Sequence, residues 1–484
     1  MNVSPRRPIF NRRAESSIYR MFFWAILALG GVWLIIQIQQ GDIKSPFQPT
    51  PTPTRNSTSY ELEGEAQFTA GNLDAAIAAY QQAVRVDPTN AETWANLARI
   101  QTYSTTLLTI DAEKETRLQE ALKSATQATT LAPDDSTTHA VRAFVLDWNA
   151  NSLLVDNNQV QDYLAQADQE SLRALQLDGN NVRALAFYAE ILVDEQKWTQ
   201  AQDYIQQAAD RDPSLMDVHR VYAYVLESLG LYNQAIQEYD KAIAIDPNLT
   251  FLYLSAGLNY RQLGFRSPNA ETQKQLYDKS LGYFTKAVSI NQQLGVKDPN
   301  PYISIAKTYS QEGEFFIAAR NVQKALSFKP DNADIYGQLG IIYFKSRNYE
   351  GSIPALQCAV EGCSGDVSCQ GRGLDACDAQ DPPVTVKGLP LSPGTVDYYQ
   401  VYFSVLAALG PRDPTYCPKA MSIADEVQAS GLIAARPDIA NNMAVARQEC
   451  SPSNATSMPV STGTPLFLAT STPFPTSSSY NTQP

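Results

Sequence analysis

The sequence predicts an all-α fold: an α-α superhelix of about eight to nine helical hairpins behind one N-terminal transmembrane helix. Two observations carry that expectation. A charge-free apolar run follows a basic N-terminus, and a pattern of small residues, one bulky residue and a closing proline recurs along residues 57–357. At 484 residues the chain exceeds what one hydrophobic core usually holds, which also favours several domains or a long repeat array.

The N-terminal element rests on charge and length. Residues 1–20 carry Arg6, Arg7, Arg12, Arg13 and Arg20 against Glu15, a net of +4 in a chain whose total is −13. That total argues against nucleic acid as the main partner. Next comes MFFWAILALGGVWLIIQI (21–38), uncharged, with a helical length of roughly 27 Å, near the hydrocarbon thickness of a bilayer. Arginines on one side only orient the N-terminus to the cytoplasm. A cleaved signal peptide is the rival reading. It fits less well, because the run outlasts a typical signal core and QIQQGDIK offers no small-x-small cleavage site. We therefore expect a cytoplasmic segment at 1–20 and a signal anchor at 21–39, with the rest outside the cytoplasm. Residues 40–56 form a Pro/Thr linker biased to extended polyproline II. Residues 451–484 are rich in Ser, Thr and Pro and nearly uncharged, the composition of a disordered tail.

The hairpins rest on spacing. LYNQAIQEYDKAIAIDPN (231–248) nearly repeats LDAAIAAYQQAVRVDPTN (73–90). Closing prolines stand at 88, 133, 213, 247 and 330, with Gly179 and Gln292 in the equivalent place of two further units. The steps 179–213 and 213–247 are both 34 residues. Each second helix carries alanines seven apart, such as Ala76 and Ala83, Ala201 and Ala208, Ala235 and Ala242, or Ala318 and Ala325. Two turns apart on one face, they let a neighbouring helix axis approach closely. Tyr80, Ile205, Tyr239 or Val322 fills the space between them, and Asp-Pro stops the helix because the residue before proline avoids the α region. First helices follow a large–small–large scheme, as in Leu185, Ala189 and Leu192, or Tyr253, Gly257 and Tyr260, or Tyr336, Gly340 and Tyr343. On these residues the chain resembles the tetratricopeptide repeat (TPR) superfamily from residue 57 to about 360.

Three units are too long, at 45, 46 and 45 residues. Each excess is close to three helical turns, so YSTTLLTIDAEK, DWNANSLLVDNN and FRSPNAETQKQL are expected to lengthen helices and protrude from one edge of the solenoid.

All six cysteines lie late: Cys358, Cys363, Cys369, Cys377, Cys417 and Cys450. An even number on an oxidising side of a membrane reads as disulfides. Cys417 and Cys450 are expected to pair, at adjacent ends of antiparallel helices, and the other four among themselves within a loop at 358–395. Zinc fits poorly, since no CxxC occurs and no histidine is near. Residues 396–450 supply a degenerate ninth repeat and a capping helix, which the exposed end of a solenoid needs.

No catalytic motif, cofactor loop or metal-ligand set is found. His139 and His219 fall at bulky packing positions, and neither a nucleophile elbow nor a P-loop is present. The resemblance implies binding on the concave wall formed by first helices. One TPR subclass holds a peptide carboxylate with Lys and Asn on the first of these, but Glu61 and Glu65 stand here instead. The same face read onward gives Arg220, Tyr224, Phe251, Leu254, Leu258, Arg261, Ile303, Lys307, Ile341 and Phe344. That apolar stripe edged by cations suits a peptide with apolar anchors and acidic character, or else packs under inserted segments. The expected function is a membrane-anchored protein-interaction scaffold. The alternative is a structural stalk that displays the tail.

Overall fold

A computed structural model describes residues 17–40, 55–152, 154–374, 377–378 and 381–451. Most of the basic segment, the Pro/Thr linker and the C-terminal tail lie outside the described residues.

Helix α1 (Ile18–Gln40) forms a unit by itself. It is long and apolar enough to cross a membrane, and its large apolar side chains are exposed rather than packed.

The second unit begins at Asn56, whose side chain accepts from the Ser59 amide and so caps the first hairpin. That hairpin pairs α2 (Ser57–Thr69) with α3 (Leu73–Val86). The second pairs α4 (Ala91–Ser104) with α5 (Asp111–Leu131), and the third α6 (Ser136–Ala150) with α7 (Asn157–Leu177). Then come α8 (Val182–Asp194) with α9 (Trp198–Arg211), and α10 (Met216–Ser228) with α11 (Tyr232–Ile245). The next two are α12 (Thr250–Arg266) with α13 (Ala270–Leu294), and α14 (Asn300–Glu312) with α15 (Phe315–Leu326). An eighth joins α16 (Ala333–Lys345) to α17 (Tyr349–Val360). After the short α18 (Gly365–Gly371), a ninth pair, α19 (Val396–Ala408) and α20 (Tyr416–Ala429), is followed by α21 (Pro437–Glu449). The fold is an all-α TPR superhelix.

The small-residue pattern has a direct structural cause. All eight alanines of the four pairs named above are fully buried. In the first helices, a Cβ on Gly257 would stand 2.4 Å from the Phe284 ring, and one on Gly340 would stand 2.5 Å from Leu356 Cγ. In these two units the second helix seats a bulky side chain where its partner has none.

The bulky residue six places after the closing proline has a second duty. Trp94 Nε1 donates to the Pro88 carbonyl at 3.0 Å, Tyr253 to Pro247 at 2.9 Å and Tyr336 to Pro330 at 3.0 Å. His139 and His219 place Nε2 2.9 and 2.8 Å from the carbonyls of Pro133 and Pro213, with Nδ1 on Glu170 and Glu238. An orphan carbonyl in each turn is thus satisfied by a side chain from the next helix.

The long units contain long helices: α5 and α7 have 21 residues and α13 has 25, against 14 in α3, α9 and α11. Their placement differs from the expected common edge. The third insert is largely exposed, but the first is folded inward, with Thr105 and Thr109 buried. Asn300 donates to the Thr106 carbonyl at 2.9 Å and Asn332 to the Thr109 hydroxyl at 2.5 Å. The superhelix winds tightly enough that its seventh and eighth hairpins reach the second, and the insert fills the space between them.

The cysteine segment packs into the second of two large cores. Disulfide Cys358–Cys363 precedes α18, Cys369–Cys377 ties α18 to the segment after it, and Cys417–Cys450 ties the start of α20 to the end of α21. A two-residue antiparallel ladder, β1 (Gly362–Cys363) with β2 (Val386–Lys387), closes the loop.

Candidate functional site: the inner wall of the superhelix

First helices line the inner wall because their partners occupy the outer layer. From the first hairpin to the sixth, aromatic side chains pack across this wall. Phe251 stacks on Tyr103 at 5.2 Å, and Tyr103 on Phe68 at 6.3 Å. Through this aromatic column runs a polar network. Arg99 Nη1 reaches both carboxylate oxygens of Asp217, which also accepts from the Tyr103 hydroxyl and faces Arg183 Nε at 3.4 Å. Arg220 forks onto Glu190 at 2.8 and 2.5 Å, and Trp148 Nε1 donates to the same carboxylate at 3.1 Å.

Burial alone would raise the Asp217 carboxyl, but the Arg99 and Arg183 guanidiniums and the Tyr103 hydroxyl outweigh it and hold it at about 2. A second acid group behaves oppositely. Asp147 is 1% exposed, and among the described residues no hydrogen-bond donor meets either of its oxygens. Burial, with Asp194 and Glu190 nearby, pushes it well above the ordinary carboxylate range. Burial also lifts Asp194 to about 6, although the Tyr224 hydroxyl and the Asn151 amide both donate to it. Burial and mutual repulsion favour the protonated form of these two neighbouring carboxyls over two charges.

The ten residues of the predicted stripe do not form one open surface. Arg220 and Tyr224 are buried in the acid-binding network. Phe251, Leu254, Leu258 and Arg220 line a partly open cavity of about 190 Å³, with Thr105, Leu108 and Lys114 of the first insert on its other side. Arg261 and Lys307 are buried one turn beyond its wall. Ile303 and Ile341 belong to the second core, which includes the cysteine segment. Phe344 is half-buried and packs on Tyr349, with ring centroids 5.6 Å apart. Eight of the ten side chains are buried, and Leu258 and Phe344 are half-buried.

An open cleft of about 330 Å³ lies nearer the start of the solenoid, where α2, α4 and Arg183 of α8 come together. Glu61 is occupied there, accepting from Ser57, Asn90 and Thr93 at 2.8, 3.2 and 2.7 Å. Leu62 beside it is 68% exposed. Sequence reading compared Glu61 and Glu65 only with a missing clamp and passed over Leu62, although its place on the outward edge of a first helix marks it. The Asp147–Asp194 pair had no sequence signal, since it joins neighbouring hairpins at positions outside the repeat pattern.

A TPR repeat profile matches residues 64–101, and a tetratricopeptide repeat profile matches residues 174–249. No curated protein matches the chain. Among solved structures, an IFIT1 monomeric mutant with m7Gppp-AAAA is 13% identical, covers 88% of this chain and 85% of its own, and has a TM-score of 0.50. The human IFIT1 dimer with PPP-AAAA is 14% identical over 82% of this chain and 91% of its own, with a TM-score of 0.49. A thermophilic TPR protein of Thermus thermophilus is 17% identical over 42% of this chain and 98% of its own, with a TM-score of 0.35. At such identities the likeness is one of fold.

Proposed function

Because the chain is a tetratricopeptide-repeat protein, we propose that it acts as a non-enzymatic scaffold that binds a protein or peptide outside the cytoplasm. Residues 21–39 serve as its single-pass anchor. The arginines before that helix favour a cytoplasmic N-terminus, and the three disulfides favour an oxidising compartment for residues 57–450. The acidic balance of the chain supports a protein partner over nucleic acid.

The observation that carries this reading is the cleft between α2 and α4. It is an open stretch of first-helix wall, and it sets exposed Leu62 beside Glu65 and Glu92. An apolar side chain flanked by basic residues suits that surface. The covered stripe, from Phe251 through Leu258, supports the inner wall from within rather than meeting the partner.

A photoreactive residue at Leu62, in intact cells, tests the proposal. One defined protein should be captured there, and Glu65→Lys with Glu92→Lys should abolish the capture. If instead these changes leave function intact and deletion of 451–484 abolishes it, the chain is a stalk for its tail.

A further inference from the structure

Antiparallel helices within each hairpin, stacked in the same sense, put the turns inside hairpins on one edge of the solenoid and the turns between hairpins on the other. The winding brings these two edges together. Gly71, in the turn of the first hairpin, would place a Cβ 2.2 Å from the carbonyl oxygen of Asn248, which precedes α12, and Asn248 donates to the Thr69 carbonyl at 3.3 Å. In the turn of the second hairpin, Thr106 and Thr109 receive Asn300 at the start of α14 and Asn332 before α16. An early hairpin turn is thus covered by a connecting turn from five or six hairpins further on.

The nine hairpins of the described residues end before that seam is complete. By the same offset, the turns of the fifth to seventh hairpins have no later hairpin to meet, and they carry large apolar side chains. Leu231 is 40% exposed, Phe265 39% and Phe316 76%. On the opposite edge, no earlier hairpin lies beneath the connecting turns at Pro88, Pro133 and Gly179, and all three residues are exposed. Asn180, also exposed, follows Gly179 as Asn248 follows Pro247, so it holds the repeat position that donates across the internal seam.

We propose that a second copy of this chain continues the seam, its connecting turns at Pro88, Pro133 and Gly179 lying on the hairpin turns that carry Leu231, Phe265 and Phe316. The contact repeats between chains what the fold already makes within one, and it removes a row of apolar side chains from water. Its two surfaces differ, so the association is head-to-tail, and each added copy presents the same free edge again. A bilayer is a poorer occupant, because the polypeptide enters the solenoid at Asn56, on the edge away from these turns. The contact uses turns and not the α2–α4 cleft, so either assignment can fail without the other.

A benzophenone-bearing residue in place of Phe316 tests this, in the full chain reconstituted into phosphatidylcholine vesicles from a mixture of heavy-isotope-labelled and unlabelled protein. Adducts should join position 316 of one isotopic population to peptides spanning 87–90, 133–135 or 178–181 of the other. In detergent, the sedimenting mass of the wild type should rise with concentration past that of two copies. Phe316→Glu, a change at an exposed side chain, should weaken that association at least about tenfold while leaving the thermal midpoint unchanged. Adducts confined to lipid, to one chain or to a second position 316, or none at all, overturn the proposal. So does a mass that stops at two copies, or association that Phe316→Glu leaves intact.

Discussion

Arg99 and Asp217, 118 residues apart in sequence, form a buried ion pair in which one guanidinium nitrogen lies 3.0 and 2.9 Å from the two carboxylate oxygens. The pair joins the second hairpin to the fifth, a contact that a loosely wound solenoid would not make. Asp217→Ala leaves Arg99 buried without its carboxylate and should cost about 3–5 kcal/mol, read by chemical denaturation. The carboxyl sits at about 2, below its ordinary value, so its contribution is complete at neutral pH and is lost as the pH falls from about 4 to 2. A loss under about 1 kcal/mol on substitution would mean that water reaches the pair.

The Asp147–Asp194 pair predicts the opposite dependence. Both carboxyls are raised, Asp194 to about 6, so the folded chain binds protons more tightly than the unfolded one. Stability from this pair is present in mild acid and falls as the pH rises through 6. Asp147→Asn supplies a donor without a titrating proton, so it should flatten the thermal midpoint between pH 5 and 8. A variant that retains the wild-type slope would place the pH dependence elsewhere, with Asp298, raised by burial to about 7, as the next group to replace.

Gly71 turns the chain between α2 and α3 at φ +85, and a Cβ there would stand 2.2 Å from the Asn248 carbonyl oxygen. Asn248 also donates to the Thr69 carbonyl at 3.3 Å, so the first hairpin abuts the turn before α12. Gly71→Ala should destabilise by roughly 2 kcal/mol, from the left-handed backbone and the clash together. It should also raise the radius of gyration in small-angle scattering. An unchanged radius would show that the contact does not hold the superhelix closed.

Cys417 and Cys450 close a loop with a sequence separation of 33 residues. Replacing both with serine should cost about 2–5 kcal/mol and expose α21 first in hydrogen exchange, since that helix covers the last hydrophobic face. Uniform exchange across the solenoid would argue against a local capping role.

Helix positions were legible because packing between neighbouring hairpins writes itself into the sequence. Ala235 and Ala242 must be small, Tyr239 large and Pro247 terminal wherever one unit stacks on the next, so periodicity reported them. The six cysteines and the apolar N-terminal run were equally plain from composition. The inner wall was legible only as a face. Leu254 and Leu258 sit where spacing put them, but spacing is silent about what lies opposite. Whether the face is open depends on superhelical pitch, and pitch accumulates from small rotations at each interface that no single residue encodes.

The first insert shows the same division. Its length near three turns predicted longer helices, and a helical phase is a local property. Its direction was decided by Asn300 and Asn332, which come within reach of Thr106 and Thr109 only after several more hairpins have wound round. Sequence alone thus determined the hairpin, its period and its stops, because those arise from contacts within one unit or between adjacent ones. Tertiary structure alone decided that most of the stripe is buried, that Arg99 meets Asp217 and that Arg261 lies in the interior. Those follow from distances across the whole superhelix.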